Sequence, residues 1–321
     1  MREAAAPSGF RHEQVAEVQR ARMLSAATVV VAEGGAASLT ATRVVARSGV
    51  SRRTFYEIFR DREDCLLEAF EEAVKHATRR VAAGYPMEAP WCERLRAGLF
   101  ALLDYLEREP AVARLLVVES LAAGPRVLER RAYVVRGLAE VVAEAPPTRG
   151  RADGPSALAA EGAVGAVLSV LHARIVAEKA PRLLELTGEL MAIVVQPYLG
   201  AAAARREAAR ATPTRSAKSE PAAHNGHDED ALGALDMRLT YRTIRVLTAL
   251  SEHPGASNRY IGDAAEIGDP GQISKLLARL ARLELVKNSA PDGPSRGAPN
   301  AWSLTTRGRQ LQQSIAAVKE R

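Results

Sequence analysis

Apolar residues recur at intervals of three and four along most of the chain, which predicts a mostly helical protein. The first apolar stripe covers residues 13–33 and ends at Gly34-Gly35, a common helix stop. Asp61 can cap a long helix that continues to about residue 82. Further helices are predicted between proline and glycine breakers, at about residues 92–108, 110–122, 125–144, 156–179 and 181–199.

Residues 40–66 predict two short helices joined by a tight turn. Ser48-Gly49 supplies the break, and Ser51 can cap the second helix. Phe55 and Phe59 are four residues apart and therefore share one face of that helix. The opposite face carries Arg52, Arg53, Tyr56 and Arg60. A buried aromatic face opposite an arginine-rich face is what a recognition helix in a DNA major groove requires.

The pattern T-x-x-x-V-V-x-x-S-G-V-S-R-R-T-F-Y-x-x-F-x-D-R-E in this stretch closely resembles the DNA-binding segment of the TetR family of bacterial transcription regulators. The resemblance implies phosphate contacts by Thr40, Tyr56 and Arg62. It implies groove-facing roles for Thr42, Arg43, Arg52, Arg53 and Thr54, beside the capping Ser51. Arg62 stands where the family usually has lysine, and Arg53 where many members have a small residue. Arg53 either reads guanine or makes a further phosphate contact.

The same resemblance implies a helical regulatory domain after the DNA-binding segment of residues 40–66, which we call the reader. This domain contains candidate residues for a ligand cavity and for a dimer interface. A ligand cavity is expected between the helices from 92 to 144, and plain core packing is the alternative. Its candidate residues are Met87, Trp91, Leu99, Leu102, Tyr105, Leu115, Val118 and Glu119. The last two helices are candidates for a homodimer interface, with intramolecular core as the alternative. The interface candidates are Gly162, Ala166, Leu168, Leu171, Ile175, Leu186, Leu190 and Ile193.

A second small module is predicted at the C-terminus. Residues 240–252 form an amphipathic helix, Ser257 caps a short helix, and Asp269-Pro270 begins a third. Two short strands follow around a loop rich in glycine and proline, and Thr306 is expected to cap a last helix. This order resembles a winged helix-turn-helix module of the MarR-like kind. The resemblance implies DNA contacts by Gln272, Ser274, Lys275, Arg279 and Arg296; docking to protein or dimerisation is the alternative role.

Composition narrows the class of protein. The formal net charge of +6 over 321 residues suits a polyanionic partner, and the 47% apolar content is enough for a proper core. The two cysteines, Cys65 and Cys92, lack metal-type spacing and are expected to be reduced, as in the cytoplasm. We expect neither a signal peptide nor a membrane helix, since no stretch reaches about 18 uncharged apolar residues. We find no nucleophile with its base, no metal constellation and no phosphate loop, so no enzyme, cofactor or metal is predicted.

The sequence therefore predicts a mostly all-α chain with a small C-terminal β-hairpin. The expected domains are a flexible arm (1–12), a TetR-like DNA-binding domain (13–82), a ligand-binding and dimerisation domain (83–199), a linker (200–231) and a winged domain (232–321). The expected function is transcription regulation by a homodimeric, ligand-responsive repressor. Its expected partners are a palindromic double-stranded operator, a second copy of the chain and a small-molecule effector.

Overall fold

The fold is described from a computed structural model, which defines residues 8–146, 157–177, 182–212, 241–289 and 300–317. These residues fall into two compact units. The first contains those within Met1–Ala26, Thr42–Ile58 and Ala222–Arg321; the second contains those within Ala27–Ala41 and Phe59–Pro221. The described part is mostly helical with one small antiparallel sheet, as the sequence predicts.

Four helices make up the N-terminal region: α1 (Ser8–Gly34), α2 (Ala41–Ser48), α3 (Arg52–Ile58) and α4 (Arg62–Ala83). Helix α1 begins at Ser8, inside the segment expected to be a flexible arm. A short 3-10 turn, Ala36–Ser38, follows Gly35, whose φ of 79° favours glycine. Asp61 caps α4, because its carboxylate accepts a hydrogen bond from the Asp64 amide at 2.8 Å.

The helical bundle follows in the second unit. It comprises α5 (Trp91–Arg108), α6 (Pro110–Ala113), α7 (Pro125–Ala143), α8 (Ala157–Ala177) and α9 (Thr187–Ala209). The helix predicted over residues 110–122 changes geometry on the way, since α6 continues as a π-helical segment, Arg114–Val118, and a 3-10 turn, Glu119–Leu121. Helix α9 runs on past residue 199 to Ala209, with a kink at Gly200. The bundle core is built from α5, α6, α7, α8 and α9.

Two helical segments, Leu158–Ala177 and Leu183–Ala209, are long and apolar enough to cross a membrane by length and composition alone. No membrane helix is expected from the sequence when a run without charges is required, whereas these two segments are apolar on average and still contain a few charged residues. A third of the first segment's apolar window and 44% of the second's are buried inside the protein. Core helices of soluble proteins pass the same test, so this is weak support for a membrane location.

The C-terminal part of the first unit has helices α10 (Tyr241–Glu252), α11 (Asn258–Ala264) and α12 (Pro270–Arg282). Strands β1 (Val286–Asn288) and β2 (Trp302–Leu304) follow, and then α13 (Thr306–Ala317). The strands pair antiparallel, with Val286 opposite Leu304, and Trp302 also bridges to Ala256. Val18 of α1 belongs to the same buried cluster as the apolar residues of these elements.

Side-chain caps define the helix starts in this region. Ser257 caps α11 and Asp269 caps α12, both as predicted. The predicted cap of α13 is wrong by one residue. The hydroxyl of Thr305, not that of Thr306, accepts the hydrogen bond from the Gly308 amide, at 3.0 Å. Two adjacent threonines fit the capping pattern equally well, and the backbone path out of β2 decides between them.

A buried carboxylate joins the start of α4 to α7 of the bundle. Asp64 Oδ1 accepts hydrogen bonds from Arg60 Nη2 at 2.8 Å and from Arg126 Nη2 of α7 at 3.0 Å. Asp64 Oδ2 accepts from the Arg60 amide at 3.2 Å. These bonds hold the pKa of Asp64 well below its usual range, the hydrogen bond from the Arg60 side chain being the largest cause. A second ion pair, Arg130 with Glu71 at 3.2 Å, continues the contact between α4 and α7.

We expect Asp64→Asn to lower the free energy of unfolding by about 2 kcal/mol, because two guanidinium groups lose their shared carboxylate. Denaturant unfolding followed by circular dichroism measures the loss. The difference in free energy of unfolding between the parent and the variant is largest above the unfolded-state pKa of Asp64, about 4. It shrinks as pH falls through the depressed folded-state pKa, because the Asp64 carboxylate of the parent is then protonated and uncharged. The exposed neighbour Glu63, changed to Gln, is the matched control. An Asp64→Asn variant as stable as the parent at pH 7 would contradict this role.

Candidate nucleic-acid interface and its link to the bundle

The helix proposed to read DNA, α3, is only seven residues long. An isolated helix of that length is unstable in water, so α3 depends on its cap and on burial. Ser51 Oγ accepts a hydrogen bond from the Thr54 amide at 3.1 Å and also contacts the Thr54 hydroxyl at 2.8 Å. Phe55 is completely buried and Phe59, just beyond the helix, is 1% exposed. The predicted cap and apolar face are therefore present.

The opposite face of α3 carries exposed basic and aromatic side chains. Arg52 places its guanidinium carbon 5.8 Å from the centre of the Tyr56 ring. Tyr56 is 51% exposed and packs edge-on against the buried Phe55, with ring centres 5.3 Å apart. The buried ring thus supports an exposed ring, which in turn lies beside a positive charge. This arrangement presents a cation and a hydroxyl on one rigid surface.

Arg53 has a local partner that sequence reasoning did not identify. Its Nε donates to Glu57 Oε1 at 2.8 Å, and both side chains are largely exposed. An exposed pair of this kind is worth at most about 1 kcal/mol, so a phosphate can replace the glutamate. The signal was present in the sequence, because residues 53 and 57 are four apart on a helix.

The remaining predicted reader residues are placed as follows. Thr40, Thr42, Arg43 and Arg62 are exposed, whereas Ser51 and Thr54 are half-buried around the cap. Arg60 is exposed, but its guanidinium is bound to Asp64, and that carboxylate raises the pKa of Arg60. The sequence pattern had placed Arg60 on the DNA-facing surface of α3. The structure instead uses it to join α3 to α4, because α3 ends at Ile58.

In the C-terminal part, the exposed face of α12 carries Gln272, Ser274, Lys275 and Arg279. Arg242 of α10, which the sequence analysis did not single out, donates to Gln272 Oε1 at 2.6 Å. Ser274 accepts a hydrogen bond from Asn258 Nδ2 at 3.0 Å. Arg296 lies outside the described residues.

Asn258 connects the hairpin to α12. Its Oδ1 accepts from Trp302 Nε1 at 2.6 Å and from Asn300 Nδ2 at 3.1 Å, while its amide nitrogen bonds to Ser274. Asn288 completes the set by donating to Asn300 Oδ1 at 2.8 Å. The sequence gives little signal of this network, since only the fold brings residues 258, 288 and 300 together.

The predicted ligand-cavity residues divide into three groups. Trp91, Leu99, Leu102, Tyr105 and Val118 lie in or against the buried cluster of the bundle, and Leu115 is completely buried. Met87 is 69% exposed, because it lies in the connection before α5, so it is not part of this interior. Glu119 is buried, but its carboxylate is bound to the backbone amide of Ala36.

The predicted interface residues also divide by burial. Leu171, Ile175 and Leu190 are 1%, 6% and 1% exposed within one chain, so they belong to its own core. Gly162 and Ala166 are exposed on α8, and Leu168, Leu186 and Ile193 are half-buried. Two apolar residues that the analysis missed, Leu158 and Val176, are 74% and 52% exposed at the two ends of the same α8 face. Amphipathic periodicity cannot distinguish a core face from an interface face when both are apolar.

The N-terminal arrangement defines a helix-turn-helix DNA-binding domain. Residues 23–69 match the family model of bacterial regulatory proteins of the tetR family, so this segment is similar to the DNA-binding domain of that family. The family model covers the end of α1, both short helices α2 and α3, and the start of α4. No curated protein matches the chain.

Several solved structures are similar to part of the chain. The transcriptional regulator FadR from Bacillus subtilis, in complex with stearoyl-CoA, is 16% identical with a TM-score of 0.47, covering 55% of this chain and 97% of that one. The fatty acid degradation regulator FadR from Bacillus halodurans is 18% identical with a TM-score of 0.48, covering 54% and 96%. A TetR-like transcriptional regulator from Rhodococcus sp. RHA1 is 15% identical with a TM-score of 0.43, covering 60% and 97%.

Proposed function

We propose that the chain is a cytoplasmic, sequence-specific transcription regulator that binds a double-stranded operator through α3. The observation that carries this proposal is the Arg52 and Tyr56 surface, held by a capped helix whose other face is buried. Exposed Thr40 and Arg62, at either end of the reader, suit phosphates that fix its register. Thr42, Arg43, Arg53 and Thr54 are the candidates for base contacts.

The regulator acts as a homodimer on a palindromic operator in this proposal. Two-fold protein symmetry matches half-sites about 34–36 Å apart. The exposed face of α8 supports it, since Leu158, Gly162, Ala166 and Val176 form an apolar strip that one chain leaves uncovered. Small residues in the middle of the strip allow two helices to approach closely.

A ligand response is part of the same proposal. A small apolar effector would bind among the bundle side chains near Trp91, Leu99 and Leu115, and DNA and effector would weaken each other's binding. Repression is the sign we favour, because an effector that changes the distance between two readers releases DNA. The ion pairs from α4 to α7 give the helix that follows the DNA-binding segment direct contacts with the bundle.

For the C-terminal module we propose a second DNA contact, made by a winged helix-turn-helix. Its hairpin, its exposed Lys275 and Arg279, and the Asn258 network that fixes the hairpin against α12 support this role. The alternative is a protein-docking or dimerisation module. The exposed Arg242–Gln272 bond is compatible with either role, because polar rims occur in both kinds of interface.

Replacing Arg52 and Tyr56 together by alanine should lower affinity for specific DNA about 10- to 100-fold, since a groove contact and a phosphate contact are lost. The probe is the DNA that the full-length protein selects from a random pool, and fluorescence anisotropy measures binding. Arg79→Ala, on the exposed surface of α4, removes a positive charge elsewhere and should have a small effect. Unchanged affinity in the double variant would refute the assignment of α3.

Ala166→Glu should convert the dimer to a monomer, because it places a charge in the middle of the α8 strip. Sedimentation equilibrium measures the mass. Ala132→Glu, at an exposed position of α7, is the matched control and should remain dimeric. A dimer that persists in Ala166→Glu places the interface elsewhere.

Lys275→Ala combined with Arg279→Ala should abolish protection of DNA flanking the core site in footprints of the full chain on long DNA. Protection of the core site should persist, since α3 is intact. Arg307→Ala, an exposed arginine of α13, serves as the charge control. Flanking protection identical to the parent's, or absent from the parent, would favour the protein-docking alternative.

A further inference from the structure

The connection between α1 and α2 is attached to the bundle by one buried side chain. Glu119 is 8% exposed, and its Oε2 accepts a hydrogen bond from the backbone amide of Ala36 at 3.0 Å. Ala36 is the first residue of the 3-10 turn that follows α1. The bond therefore joins the end of the π-helical region after α6 to the backbone that leads into α2.

The local backbone is shaped for this contact. Gly35 has a φ of 79°, and a Cβ placed on it would lie 3.3 Å from Glu119 Oε2. A larger residue at 35 would thus be strained and would crowd the carboxylate. The turn is closed by hydrogen bonds from the Ser38 amide to Gly35 O at 3.0 Å and from the Leu39 amide to Ala36 O at 3.2 Å. A rigid turn passes a displacement of Ala36 on to the start of α2.

Glu119 directly follows a segment with unusual geometry, the π-helical residues Arg114–Val118. Arg114 Nε lies 3.4 Å from Glu119 Oε1, across the length of the π-helical segment. Segments of π-helix are uncommon and occur frequently at functional sites. Leu115 and Val118, two of the proposed effector contacts, lie on this segment directly before Glu119.

We infer that Glu119 is a positioning residue that transmits the state of the π-helical segment to the turn that leads into α2. This inference rests on the proposed function and adds a specific route to it. An effector that displaces Leu115 or Val118 moves Glu119 away from Ala36. The connection before α2 then loses the acceptor for its first amide, and the turn that leads into α2 is no longer held by the bundle. A carboxylate suits this role, because a hydrogen bond to a charged acceptor is stronger than one to a neutral group.

Hydrogen exchange of the full-length protein tests the route without an effector. In Glu119→Ala, the amides of residues 36–39 should exchange about tenfold faster, the ratio expected for the loss of one hydrogen bond to a charged group. Amides within α8 and α9 should be unchanged. Glu119→Gln keeps an acceptor oxygen at the same reach, so it should restore slow exchange, whereas a merely space-filling role would not distinguish Gln from a similarly sized Met. Glu129→Ala, at an exposed position of α7, is the control.

DNA affinity provides the second readout, with the DNA selected by the parent protein as the probe. Glu119→Ala should lower affinity about tenfold, and Glu119→Gln should stay close to the parent. Unchanged exchange at residues 36–39 in Glu119→Ala, or equal losses in the Gln and Met variants, would overturn the inference. Failure of the proposed function is a separate result, since it would appear as unchanged affinity in the Arg52 and Tyr56 double variant.

Discussion

A seven-residue recognition helix cannot hold its own shape in water, and this constraint explains much of the N-terminal architecture. Burial of Phe55, the Ser51 cap and the buried Phe59 beyond the helix compensate for the missing helix length. Because Phe55 also supports the ring of Tyr56, the same buried contact that stabilises α3 orients its exposed face. The stability of α3 and the orientation of its exposed face therefore depend on one aromatic group.

Two kinds of polar contact join separate elements within the second unit. The ion pairs of Asp64 with Arg126 and of Glu71 with Arg130 join α4 to α7. The bond from Ala36 to Glu119 joins the connection before α2 to the π-helical region. Such contacts are directional and short-ranged, so a shift of about an ångström in the bundle breaks them, whereas apolar packing would adjust.

Two arginines, one in α3 and one just beyond it, are paired with carboxylates of the same chain. Arg53 is paired with Glu57, and Arg60 is bound to Asp64. The two ion pairs differ in how easily another anion can replace the carboxylate. The Arg53–Glu57 pair is exposed and can be replaced, whereas the Asp64 carboxylate of the other pair is almost fully buried. Arg52 lies beside the Tyr56 ring instead, with its guanidinium carbon 5.8 Å from the ring centre.

The sequence by itself determined the helices, most of their caps and the exposed character of the reader, because periodicity and capping are local properties. Ser51, Asp61, Ser257 and Asp269 all cap the helices that they precede. Tertiary structure alone decided which apolar faces are buried within one chain and which distant polar groups form hydrogen bonds. Leu171 and Gly162 lie on one apolar helix, yet only the first is buried, and Glu119 meets Ala36 from 83 residues away. Such contacts depend on how helices pack against each other, and no local pattern records that.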